Sequence, residues 1–167
     1  IGAPACFHCK ESKLTAAPFA REKPRPTTAG ERVHCDLLGP FPKSRCGYKY
    51  IIGFVDAATR YGTAFPLKSK DEAKEAVAHY LVSAPFKVTM LYTDGGGEFM
   101  DHEFRMTCHR HRCATHACAP GSPESNGLVE RWWRKILAPM RAALKGSRLP
   151  DRFWYDAFGV RVHVENR

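Results

Sequence analysis

The chain has 167 residues, 44% apolar and 26% charged, enough for one domain with a real core and ordinary for a globular protein. Its formal charge of +9, from 26 Lys and Arg against 17 Asp and Glu, points to a polyanionic partner such as nucleic acid. Seven cysteines without a secretory signal argue against a disulfide framework and for reduced intracellular thiols, and no apolar run approaches a membrane span.

In chain order, Cys6-Phe7-His8-Cys9 supplies half of a tetrahedral zinc site, with His8 as a weaker third donor. Residues 11–30 hold Pro18, Pro24 and Pro26 among Lys13, Arg21, Lys23 and Arg25, a composition expected of an extended basic linker. A first strand is predicted over Arg32 to Leu38, ending at Gly39-Pro40. A second runs from Tyr48 to Val55 and a third from Arg60 to Leu67. The short loops between them favour an antiparallel meander. Ser69-Lys70-Asp71-Glu72 reads as a capping box for a helix to about Ser83, which packs Ala73, Ala76, Val77, Tyr80 and Leu81. Pro85 stops it, and a strand over Val88 to Thr93 follows.

After a turn at Asp94 to Phe99, a helix is expected over Asp101 to Arg110 and a short strand over Ala114 to Cys118. A loop punctuated by Gly121, Pro123 and Gly127 then leads into a helix beginning near Asn126, with Ser125 or Asn126 as N-cap. Val129, Trp133, Ile136 and Met140 form its apolar stripe, and Pro139 is expected to kink or end it. Glu130, Arg131, Arg134 and Lys135 fall on or beside the opposite face. Trp132 reads as a partly exposed plug, with a base-stacking surface as the alternative. A last amphipathic helix starts around Leu149-Pro150 and offers Phe153, Trp154, Ala157, Phe158 and Val160 for packing.

Cys108, His109, His111, Cys113, His116 and Cys118 fall in one stretch. Zinc could use some of them, since His116 and Cys118 share a strand face; the plainer alternative is buried thiols beside exposed histidines. Between Ser125 and Arg148 six bases stand against Glu130 alone. A lone helical Glu is ordinarily a solvated partner for a base at i+4, here Arg134. What changes that reading is Asp36, within a first apolar run, and Asp94, at the end of another, with 35 residues between Asp94 and Glu130.

With these motifs the chain resembles the DDE integrases of retroviruses and LTR retrotransposons, and within them the copia-type branch. His34-Cys35-Asp36-Leu37-Leu38-Gly39-Pro40 looks like the family's first-aspartate strand, and Thr93-Asp94-Gly95-Gly96-Gly97-Glu98-Phe99 like its second-aspartate turn. Asn126-Gly127-Leu128-Val129-Glu130-Arg131 looks like its glutamate helix, and Leu149-Pro150, Phe153-Trp154 and Asn166-Arg167 resemble the segment that follows. Two positions depart from the pattern: Gly95 where Asn is usual, and Trp132-Trp133 where polar residues are common. An intact triad on such a background also fits a decayed genomic copy.

The resemblance implies an RNase H-like α/β fold, with a mixed five-stranded sheet in the order β-β-β-α-β-α-β-α-α flanked by helices. It implies a core over residues 31–167, truncated before any C-terminal domain and preceded at 1–30 by the remnant of an HHCC zinc module and its linker. Cys6 and Cys9 then match the second half of that module, so that zinc belongs to the complete parent protein. The implied catalytic and metal-binding residues are Asp36, Asp94 and Glu130, holding two Mg2+ or Mn2+ ions, with Asn126, Arg131, Arg134 and Lys135 on DNA. Without metal the three carboxylates should repel one another, raise each other's pKa and stay loosely ordered. The implied activity is polynucleotidyl transfer in the nucleus: a 3′-hydroxyl of element DNA attacks target DNA, with endonuclease activity as a further expectation, in a homo-oligomer of the parent protein. A domesticated or decayed domain that only binds nucleic acid is the alternative, and a zinc-dependent interaction module a third.

Overall fold

In the computed structural model, which describes residues 25–118 and 123–167, five strands form one mixed sheet. The strands are β1 (Val33–Leu38), β2 (Tyr50–Asp56), β3 (Gly62–Leu67), β4 (Met90–Thr93) and β5 (Ala114–Ala117). Their spatial order is β3-β2-β1-β4-β5. The β1·β2 and β2·β3 pairs are antiparallel as expected, the first across the longer loop from Gly39 to Lys49 and the second across a short turn, and the crossovers give parallel β1·β4 and β4·β5 pairs. The helices are α1 (Ala73–Ser83), α2 (Gly97–Met100), α3 (His102–Arg110), α4 (Pro123–Ser147) and α5 (Trp154–Glu165).

Period-2 alternation along β2 divides the interior into two cores, as a central strand buried on both faces requires. Ile52 and Phe54 face α1 and α3, where Val77, Tyr80, Phe104 and Cys108 are buried with them, and Phe54 stacks on Tyr80 with ring centroids 4.1 Å apart. Ile51 and Val55 face α4 and α5, against Val129, Trp133, Ile136 and Phe158. The same alternation on β1 puts Val33 and Cys35 in the first core and turns Asp36 toward α4.

Several local expectations are corrected. Ser69 makes no capping bond; Glu72 Oε2 accepts from Lys68 N at 2.7 Å, and the helix opens with a 3-10 turn at Lys70–Glu72. The four residues of α2, expected as turn, are too few to show periodicity. α4 begins at Pro123, where a proline's missing N–H costs nothing, so Ser125 and Asn126 lie inside the helix and are not its N-cap. Pro139 neither ends α4 nor breaks its run to Ser147. Val160 is 64% exposed and does not pack.

The described end of the linker lies against the sheet. Arg25 donates to the carbonyls of Ala57 (3.2 Å) and Ala58, and Gly30 N donates to the fully buried Asp56 at 2.9 Å. No described helix is long and apolar enough to cross a membrane.

Candidate active site

Asp36 sits in β1 with its Cα opposite that of Gly53 in β2, and β1 runs parallel to β4, which ends one residue before Asp94. Adjacent parallel strands bring the two aspartates to the same end of the sheet, and α4 packs across β1, β2 and β4 carrying Glu130. The three predicted residues therefore share one region: Asp36 is partly buried, Asp94 and Glu130 are exposed, and the charges of both act on Asp36.

The Asp36 carboxylate is fixed by two donors. Its Oδ1 accepts from Leu37 N and its Oδ2 from the Trp133 indole Nε1, both at 2.9 Å. Each Asp36 oxygen thus already has one hydrogen bond from the fold. Burial, the largest influence, pushes the Asp36 pKa up to about 6; the Trp133 donor opposes it, Asp94 adds to it, Leu37 N opposes it and Glu130 adds least.

Trp133 was legible as core, but not as a partner of Asp36. Two consecutive tryptophans are buried here, Trp132 4% and Trp133 3% exposed, because glycines stand opposite them. A Cβ on Gly53 would lie 2.4 Å from the Trp133 ring, and one on Gly62 2.3 Å from Trp132. Trp132 is thus a buried plug and offers no face for base stacking.

Gly95 has φ +75°, the left-handed geometry that glycine adopts without cost, and Gly96 N donates to Asp94 Oδ1 at 3.0 Å, closing a tight Asx-type turn. Replacing the usual Asn by Gly thus leaves the turn formed. Arg131, Arg134 and Lys135 are exposed on α4 as expected. The side chain of Asn126, and Cys6 and Cys9, lie outside the described residues.

Three carboxylates offer the hard oxygen donors that magnesium or manganese takes, so the donor set fits such ions by its chemistry. Among the described residues, however, no three His, Cys, Asp or Glu side chains gather into a group able to hold a metal as they stand. That also corrects the alternative of a zinc site between Cys108 and Cys118. Cys108, Cys113 and Cys118 are buried, and burial pushes the first two thiols up to about 12 and about 11, which keeps them protonated and inert.

Comparison with known proteins bears on this geometry. The integrase core domain family matches residues 26–123, a span that holds Asp36 and Asp94 and ends before Glu130. The chain is 31% identical over 167 residues to the retrovirus-related Pol polyprotein from transposon TNT 1-94 of Nicotiana tabacum, covering 97% of this chain and 13% of that protein. It is 30% identical to the Pol polyprotein from transposon RE1 of Arabidopsis thaliana, covering 98% of this chain and 11% of the relative. The chain thus spans only about an eighth of the length of the curated relatives it matches. Among solved structures, it superposes with TM-score 0.71 and 20% identity on a chain of the simian T-cell lymphotropic virus intasome in complex with PP2A regulatory subunit B56 gamma. The match covers 94% of this chain and 55% of that one, and the shared fold is RNase H-like.

Proposed function

This chain belongs to the integrase core domain family, and on that premise we propose that it is the catalytic core of a copia-type LTR-retrotransposon integrase. It joins 3′-hydroxyl ends of element DNA to target DNA by polynucleotidyl transfer. One observation carries the reading: the parallel pairing of β1 with β4 and the packing of α4 across both bring Asp36, on β1, Asp94, just beyond β4, and Glu130, on α4, into one region. Carboxylates that merely decorate a surface have no need of that proximity.

Asp36, Asp94 and Glu130 would hold Mg2+ or Mn2+, which when bound activates the attacking hydroxyl and neutralises charge gathering at phosphorus. The chain's own contribution is position. Leu37 N and Trp133 hold the Asp36 carboxylate in one orientation, each of its oxygens keeping a lone pair for a ligand. The Gly95-Gly96 turn holds Asp94, and α4 carries Glu130 with Arg134 one turn further on, where a base meets the phosphate of a strand in reach of the carboxylates. The same reading places the protein's action in the nucleus, in a homo-oligomer of the longer protein.

A binding-only module is the second reading, favoured by the carboxylates' not converging into a metal-holding group. A strand-transfer assay on the protein containing this core, with Mg2+ and with Mn2+, separates the two. Joining that Asp36→Asn eliminates supports catalysis; normal DNA binding with no joining in either metal supports the binding module.

A further inference from the structure

The bases of α4 do not all serve the carboxylates. Arg131 and Lys135, four residues apart and so on one helix face, line a cavity of about 600 Å³ from which Arg134 is absent. Arg60, from the turn between β2 and β3, and Arg167, beyond the end of α5, line the same cavity. Four cationic side chains from three separate parts of the fold therefore converge on one concavity. Among its described lining residues the one acidic side chain is Glu165, and Lys135 Nζ already engages it at 2.7 Å.

A solvated basic face spreads its charges over convex surface, where water and salt screen each one. Here the walls concentrate the field on an anion that enters. The floor is rigid. Trp132 is buried against Gly62, and the Asn166 side chain spans the Gly62 backbone, accepting from its N–H at 3.0 Å and donating to its carbonyl at 2.6 Å. Arginine forks on a fixed floor suit the oxygens of phosphate, which accept paired N–H bonds.

We propose that this cavity is a phosphate-binding subsite separate from the carboxylate site, and that it takes a backbone phosphate of a DNA strand passing alongside α4. The proposal deepens the integrase reading, since it supplies a second anchor that sets how a strand lies relative to Glu130, the residue next to Arg131. Free phosphate or pyrophosphate offers the same chemistry, so the test must separate the sources.

The three tryptophans supply reporters through their indole N–H resonances in the 15N-labelled 167-residue chain, and because the Trp132 and Trp133 ring centroids lie 4.8 Å apart, the site is read from which of the two moves more. Trp132 forms the cavity floor, Trp133 donates to Asp36, and Trp154 donates to the Pro42 carbonyl at 2.6 Å and serves as control. A short DNA duplex should shift the Trp132 signal. Arg131→Gln should lower the salt dependence of DNA affinity by about one unit of log K per log salt, which Arg131→Lys restores. Glu165→Gln removes the cavity's one carboxylate and should tighten DNA binding a few-fold, a gain that misfolding cannot imitate. An unmoved Trp132 signal with DNA, or an unchanged salt slope in Arg131→Gln, overturns the subsite. A Trp132 shift with pyrophosphate and none with DNA overturns the strand assignment in favour of a free anion. Mg2+ probes the carboxylates separately: if it leaves Trp133 unmoved while DNA still moves Trp132, the catalytic reading fails and the cavity assignment stands.

Discussion

At Asp36, burial and neighbouring charge oppose two hydrogen bonds, and the balance of the four sets when the site is ionised. The order of influences, with Asp94 above Glu130, predicts that Asp94→Asn lowers the Asp36 pKa from about 6 more than Glu130→Gln does. A 13C-detected carboxyl titration checks this, and the reverse order would show that the carboxylates are not coupled as described. The sign for stability follows from the raised value. Between about pH 4 and pH 6 the native state binds this proton more tightly than the unfolded chain, so ionising Asp36 subtracts stability as pH rises through that window. After allowance for partial exposure the loss is roughly 1–2 kcal/mol. Denaturation of the metal-free protein at pH 4.5 and pH 7, compared with Asp36→Ala, isolates it. Trp133→Phe keeps the ring and loses the donor, so the Asp36 pKa should climb further and stability fall by about 1–2 kcal/mol. Gly53→Ala sets a methyl 2.4 Å from the Trp133 ring and should cost about 1–3 kcal/mol through forced repacking, measured by urea unfolding.

Helices and strands in this chain were legible where a periodic pattern ran between Gly and Pro punctuation, as in the meander and the Val129 to Met140 stripe. Their limits were less so. Whether Pro123 opens α4 and whether Pro139 ends it depends on packing against the sheet, and the local sequence is silent on both. The tryptophan pair shows the limit most plainly: burying Trp132 and Trp133 together needs the bare backbones of Gly53 and Gly62, on β2 and β3, and that complementarity joins segments about 70–80 residues apart. Asn166 is a second case. The sequence marks it, with Arg167, as part of the motif after the glutamate helix but not what it touches: it holds the end of α5 to the first residue of β3, an edge strand whose backbone would otherwise be open. Asn166→Ala should release the last turn of α5, speed hydrogen exchange at the Gly62 amide and cost about 1–2 kcal/mol, the worth of two neutral hydrogen bonds. Unchanged exchange at Gly62 would mean that packing alone docks the helix.

At the scale of the molecule, the spacing of Asp36, Asp94 and Glu130 was readable as a linear pattern, but their proximity rests on the parallel β1·β4 pair and on α4 crossing both strands. The basic stretch from Ser125 to Arg148 was readable, but not how its bases part in space, with Arg134 one turn from Glu130 and Arg131 and Lys135 lining a cavity. Affinity and chemistry should therefore come apart under mutation. Arg134→Ala removes one cation from a surface that meets phosphate, so DNA affinity should drop in a salt-dependent way, the slope of log K against log salt falling by about one. The carboxylates are untouched, and Mg2+ should still shift the Trp133 indole resonance in that variant. Asp36→Asn does the opposite. It removes a negative charge, which leaves DNA binding intact or slightly tighter, but it replaces a carboxylate oxygen by an amide N–H₂ group that faces a donor and cannot ligate a cation. Joining should then vanish with both Mg2+ and Mn2+, whereas Glu130→Asp, carried on a helix face open to solvent, should keep a trace with Mn2+. Filter binding across a salt series, run beside a strand-transfer assay, measures both quantities on the same preparations. If Asp36→Asn joined DNA as well as the parent protein, the assignment of the triad would fall, while a salt slope unchanged in Arg134→Ala would move the DNA path off this face of α4.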